Sequence, residues 1–375
     1  MNRVIRSLAL VSVALSFDGF PLFAPSAHAE TSSWVQRSEQ APKHKSNAAG
    51  QSTHAAADPK ADSGPKGPNV SVHSKDPHTF QKNTPANRLP KPPPGADDPY
   101  LAFDQGRYLT ALELANKLAE KGDARAHTLI ARIHAEGLGV PKNDGLAAQW
   151  YKRAAELGDI DGIFAYGVIL AEGRGVEKDR AGAAQMFERA AKTGHAAANY
   201  NLGLLFLKGD GKPENPYRAA QHIRYAAEKG IAAAQYDLAT LYQAGTGVPN
   251  DAVETSRWLR AAADQGMAVA AYDYSVLLLK GLGLKADEPK AISYMRTAAN
   301  ANIAGAQNRL AHIYREGIGV DKSNAEAAKW RLIAKANGFG DDKVLDELIA
   351  ALPKAERQKA ESDAIQWSEK KMAPF

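Results

Sequence analysis

Glycine recurs every 36 residues through most of this chain: Gly122, Gly158, Gly194, Gly230 and Gly266 are evenly spaced, Asn302 stands at the next step and Gly338 resumes the series. A second ladder runs in phase with it as glycine pairs split by one residue: Gly137/Gly139, Gly173/Gly175, Gly209/Gly211, Gly245/Gly247, Gly281/Gly283 and Gly317/Gly319. So strict a period restricts the chain to a stacked-repeat architecture, in which each unit cannot bury its apolar face without neighbours. Two turns per period predict two helices per period. Function is then to be sought along a surface rather than in a pocket.

Between Gly122 and Gly137 apolar residues fall at helical spacing (Ala126, Ile130, Ile133), and the same columns read Gly162, Tyr166, Ile169, then Ala198, Leu202, Leu205, then Ala234, Leu238, Leu241. This is the first helix of each unit. The second begins at a column of good N-cap residues, Asn143, Asp179, Asn215, Asp251, Asp287 and Ser323, whose side chains can accept from the open N–H groups of the first turn. Pro216 follows its cap at the first helical position, where its missing donor costs nothing. A column that never exceeds a methyl group, Ala154, Ala190, Ala226, Ala262, Ala298 and Ala334, predicts close helix approach. The glycine ending each unit sits where helices stop in a left-handed conformation, which Asn also tolerates, and this accounts for Asn302. A phosphate-cradling role for the Gly-x-Gly pairs lacks the preceding strand and third glycine that such loops use.

These residues together, as Gly-x-x-x-Ala-x-x-x-Leu-Gly, Gly-x-Gly-Val, Asp, and Ala-x-x-Trp-x-x-x-Ala-Ala-x-x-Gly, resemble the Sel1-like repeat, a relative of the tetratricopeptide repeat. The best copy starts at Gly194 and carries Ala198, Asn199, Tyr200, Asn201, Leu202 and Gly203. Met186 and His222 depart from the bulky column Trp150, Met186, His222, Trp258, Tyr294, Trp330, and Asp210, Lys212 and Pro213 replace the usual loop of the third unit. The resemblance implies an all-α fold: a right-handed α-solenoid of six 36-residue helical hairpins with N- and C-terminal helical caps.

The expected organisation is a signal peptide over 1–29, a Pro-rich arm over 30–97, a capping hairpin over 98–121, six repeats over 122–337 and capping helices over 338–375. The leader has Arg3 and Arg6, an apolar run from Leu8 to Phe17 too short to span a bilayer, and Ala27-His28-Ala29 before Glu30. The arm holds ten prolines and few large apolar residues, so it cannot bury enough surface to offset chain entropy. In the N-terminal cap Tyr108, Ala111, Leu112, Ala115 and Leu118 face the first repeat. In the C-terminal cap Val344, Leu345, Leu348 and Ile349 form one amphipathic helix, and Pro353 opens another in which Ile365 and Trp367 seal the last groove. The alternative is that the last few residues, through Phe375, simply fray.

Net charge is +5, of which the leader carries +1, the arm +3 and the remainder +1. A nearly neutral repeat body argues against a nucleic-acid partner, whose binding draws on a concentrated basic face. With no cysteine there is no disulfide and no thiolate metal site. His127, His134, His195, His222 and His312 are scattered over different units without a His-Glu-x-x-His pattern, and Ser63-x-x-Lys66 stands alone in the arm. The sequence therefore points to no catalytic residue, no metal and no cofactor.

Surface recognition remains. In this class of superhelix the first helices line the concave face, which selects Phe164, Tyr200, Tyr236 and Tyr272 in one column and Asn201, Asp237, Asp273 and Arg309 in the next as candidate partner-binding residues. The aromatics read equally as recognition anchors or as packing between repeats, and the second column as specificity determinants or as a solvated face. Two aspartates in that column favour a basic or hydrogen-bond-donating partner. The resemblance to exported Sel1-like proteins, some of them regulators of surface-polysaccharide signalling through a sensor kinase, implies a non-enzymatic periplasmic adaptor or regulator for a protein or peptide partner. The alternative is a binder of cell-wall glycan or peptidoglycan, with tyrosines stacking on sugar rings. After signal cleavage no integral membrane segment is expected.

Overall fold

A computed structural model describes residues 97–372 of the chain. The leader, nearly all of the Pro-rich arm and the end at Phe375 lie outside them. Among the described residues every regular element is a helix. A hairpin of α1 (Pro99–Asp104) and α2 (Tyr108–Ala119) is followed by six pairs. The first three are α3 (Ala124–Glu136) with α4 (Asp144–Glu156), α5 (Ile160–Glu172) with α6 (Arg180–Lys192), and α7 (Ala196–Lys208) with α8 (Pro216–Glu228). The next three are α9 (Ala232–Ala244) with α10 (Ala252–Asp264), α11 (Ala268–Lys280) with α12 (Glu288–Asn300), and α13 (Ala304–Glu316) with α14 (Asn324–Ala336). Then come α15 (Lys343–Ala351) and α16 (Lys354–Met372). From α1 to α14 each helix packs chiefly against its neighbours in sequence, which is the arrangement of an α-solenoid, and α16 lies back against α14.

The predicted caps are made. Asn143, Asp179, Asn215, Asp251, Asp287 and Ser323 each accept from a backbone N–H in the first turn of their helix, at 2.8–3.2 Å. The methyl column from Ala154 to Ala334 is wholly buried. Asn302 has φ 65°, the only non-glycine positive φ among the described residues, so it adopts the left-handed turn that glycine makes elsewhere in its column.

The first helices are buried around most of their circumference, as befits elements sandwiched in a core. In α7 every residue from Ala197 to Phe206 is buried. The second helices bury one stripe and turn charged residues outward: in α10, Trp258, Leu259, Ala262 and Ala263 are buried, and Arg257 and Arg260 are exposed.

At the N-terminal end Ala111 and Ala115 are fully buried, with Leu112 and Leu118 packed beside them. At the other end the sequence expectation needs two corrections. Ile365 is 60% exposed, and the surface α16 lays against α14 is made by Ala360 and Ala364 with Trp367, whose ring meets Trp330 edge-on at 5.6 Å. Val344 is also exposed, and Leu345 is the fully buried residue of α15. Small side chains let α16 approach closely, which a large β-branched residue would prevent.

Candidate functional site

The site residues expected from sequence all lie on the first helices, the tyrosines Tyr200 and Tyr236 turned toward the next repeat and Asp237 and Asp273 toward the preceding one. Phe164, Tyr200, Tyr236 and Tyr272 are buried, with 4–6% exposure, and so are Asn201 and Asp273 at 0–1%. Asp237 and Arg309 are half-buried. The tyrosines therefore offer no ring face to solvent, which removes the stacking surface that a glycan-binding reading requires.

Their hydrogen bonds explain why. The Tyr200 hydroxyl donates to Asp237 Oδ2 at 2.8 Å, and the Tyr236 hydroxyl to Asp273 Oδ2 at 2.9 Å. Each bond joins one first helix to the next. Burial, helped by the facing carboxylate, pushes both phenols well above their ordinary range, so both stay protonated donors. The column that varied in the sequence varies in step with its neighbour. Where the preceding aromatic has a hydroxyl the facing residue is charged (Tyr200/Asp237, Tyr236/Asp273, Tyr272/Arg309), and where it has none the facing residue is neutral (Phe164/Asn201). This variation fits repeat-to-repeat docking as its cause. Asp273→Ala is expected to cost ~1–3 kcal/mol in thermal or urea unfolding, because the buried Tyr236 hydroxyl loses its acceptor. An unchanged midpoint would mean the bond is not structural.

What stays open to solvent on these helices is narrower. On α9 the half-buried Asp237, Thr240 and Gln243 stand three residues apart and so share one face, with Arg309 half-buried two repeats further on. Thr240 Oγ1 donates to the Tyr236 carbonyl at 3.1 Å, which holds its rotamer. This polar strip sits on rigid, packed helices, the setting in which a binding surface is held in place. Thr240 and Gln243 were not read as site residues. The signal that could have found them is their polarity against the adjoining repeats, where the same columns hold Val168, Leu204 and Val276, or Ala171, Leu207 and Leu279, with Arg132, His312 and Arg315 polar only in the first and last repeats.

A further polar column was missed. The first helices are capped by Asp123, Asp159 and His195 in the first three repeats, and by no side chain at Ile231, Met267 and Ile303 in the last three. Among the described residues no group of three or more His, Cys, Asp or Glu is placed to hold a metal ion, and no helix is long and apolar enough to cross a membrane.

Comparison with known proteins agrees with this geometry. The Sel1 repeat model matches six consecutive segments, 124–159, 160–195, 196–231, 232–267, 268–303 and 304–339, more than half of the chain. A Sel1 repeat protein from Oxalobacter formigenes has a similar structure, at 27% identity and TM-score 0.56, covering 66% of this chain and 99% of its own. So does c5321, a protective antigen present in uropathogenic Escherichia coli strains displaying an SLR fold, at 27% identity and TM-score 0.50, covering 72% of this chain and 68% of its own. Among curated proteins none matches in sequence. Sel1 repeats generally serve as non-catalytic scaffolds for protein–protein interaction. With hairpins, caps and glycines all in step with the six matched segments, the chain belongs to the Sel1 repeat family.

Proposed function

We propose that this protein is a non-enzymatic adaptor or regulator of the bacterial envelope, exported to the periplasm, which holds a protein or peptide partner along its first helices. The observation that carries this reading is the polar strip Asp237, Thr240 and Gln243, set on a helix that buries Ala234, Gln235, Tyr236, Leu238, Ala239 and Leu241. An amide and a hydroxyl offer both donors and acceptors to an extended peptide, and the half-buried Arg309 supplies a cation at the far end. The address rests on Arg3, Arg6, the apolar run to Phe17 and the Ala27-His28-Ala29 pattern.

The test is photocrosslinking in cells with the probe at Gln243, and with a control at Gln185, an exposed residue on the second helix α6. A discrete protein adduct at Gln243 and none at Gln185 is expected. Equal adducts at both positions, or recovery of wall fragments alone, would overturn the reading.

A further inference from the structure

The polar strip on α9 has a counterpart two repeats on. Counted from the start of their helices, Asp237, Thr240 and Gln243 of α9 hold the same three places as Arg309, His312 and Arg315 of α13, and all of them are half-buried. Between the two, repeat five fills those places with the buried Asp273 and Val276 and the half-buried Leu279. In repeats two and three the same places carry no charge. One face of the first helices therefore runs from a carboxylate, past an apolar middle, to a basic end.

The ends differ in charge as well as in polarity. At the acid end the Tyr200 hydroxyl donates to Asp237 Oδ2 at 2.8 Å, and a neutral donor of that kind favours the ionised carboxylate without cancelling its charge. At the basic end Lys280, the last residue of α11, joins Arg309 and Arg315. Glu316 meets Arg315 at 3.3 Å on the exposed rim, where an ion pair is worth little and gives way to a better one, and Asp342 is taken up by Asn308 and His312. Burial first and Arg309 second lower the Lys280 pKa below its ordinary 10.5, and an incoming carboxylate offsets the second of these.

We propose that this face selects a short extended segment of a protein partner that carries a basic side chain at one end, apolar side chains in the middle and a carboxylate at the other, with the basic group at Asp237 and the carboxylate among Lys280, Arg309 and Arg315. This chemistry rests on the adaptor reading above and specifies what the adaptor holds. Opposite charges at the two ends fix the register of the segment and repel one charged alike at both. Its length follows from packing. Successive first helices are joined directly by tyrosine–aspartate bonds, and packed helices lie ~8–10 Å apart, so two steps along the stack span roughly 20 Å. An extended chain advances about 3.3 Å per residue, which sets the two charges about six residues apart. Leu279 meets the apolar middle, while Thr240 and Gln243 offer hydrogen bonds to the main chain.

Selection of random-sequence peptides on phage against the full-length protein tests this. The wild type is expected to enrich peptides with Lys or Arg and, about six residues away, Asp or Glu, with apolar residues between them. Asp237→Asn, which keeps an acceptor for the Tyr200 hydroxyl, is expected to lose the basic preference alone, and Lys280→Gln/Arg315→Gln the acidic preference alone. By fluorescence anisotropy a selected peptide is expected to bind either variant about ten-fold more weakly than the wild type. Should Asp237→Asn lose its fold by circular dichroism, the Lys280→Gln/Arg315→Gln variant decides alone. A consensus charged alike at both ends, no common pattern, or preferences that survive the variants would overturn the proposal. So would a protein adduct at Gln243 that maps to a segment without this charge pattern, although the adaptor reading would then stand; failure of that reading is told apart by Gln243 giving no protein adduct.

Discussion

Gly283→Ala is expected to destabilise the protein by ~2–5 kcal/mol, measured by urea unfolding, whereas Gly266→Ala costs only ~1–2 kcal/mol. Both glycines have positive φ, 73° and 88°, so both substitutions pay the left-handed penalty. The difference is space. A Cβ on Gly283 would fall 1.9 Å from the Ala252 carbonyl oxygen and 2.4 Å from its carbon, main-chain atoms at the start of α10 that cannot rotate aside. A Cβ on Gly266 would meet nothing within 4 Å. The second glycine of each internal pair is therefore a contact between repeats: a Cβ on Gly175, Gly211 or Gly247 would likewise fall 2.0–2.3 Å from main-chain atoms in the first turns of α4, α6 and α8. Equal costs at the two positions would mean that the loop does not press on the preceding repeat.

This separates two glycine ladders that look alike in sequence. Their period was legible, and so were the second-helix caps, the methyl column and the tolerance for Asn302, because each follows from local backbone geometry repeated at one register. Which glycine serves conformation alone and which also serves close approach depends on the neighbouring repeat, and no single window of sequence contains both partners.

The site was less legible for a related reason. Tyr200, Tyr236, Asp237 and Asp273 stand in columns that would line the inner face of an open superhelix. Here each hydroxyl reaches a carboxylate 37 residues on, one full repeat plus one residue, and closes the face it would otherwise decorate. The pairing was present in the sequence as a correlation between columns one repeat apart. Reading each column by itself hid it. Asp123, Asp159 and His195 were missed differently, since that column turns apolar at Ile231 and half a column does not announce a cap.

The end of the stack gives the other large effect. One position of the second helix reads Tyr151, Phe187, Ile223, Leu259 and Met295, all buried apolar groups, and then Arg331, which is fully buried as well. A guanidinium in a core column must be fully paired. It donates to Asp346 Oδ1 and Oδ2 at 2.9 Å each, to Asn308 Oδ1 at 3.1 Å and to the Gly340 carbonyl at 2.9 Å. Beside it Asp342 accepts from Asn308 at 2.8 Å and lies 2.7 Å from His312 Nε2. Another apolar hairpin laid over repeat six would strand this charge, so Arg331 specifies a polar cap and ends the stack.

Asp346→Ala is expected to cost ~3–5 kcal/mol, because it leaves Arg331 buried without its counter-ion, with Asp346→Asn costing less since an acceptor remains. The loss should appear as fast hydrogen exchange in α15 while α5 to α11 stay protected, as nearest-neighbour stability in a repeat stack requires. The bond from Arg331 holds the Asp346 carboxyl below its ordinary 3.8, and bonds from Asn308 and His312 outweigh burial to do the same for Asp342. Their contribution is complete above about pH 4 and is lost as pH falls through those lower values. An Asp346→Ala variant with an unchanged unfolding midpoint and a protected α15 would show that the cap is held by Leu345 and the Trp330–Trp367 contact instead.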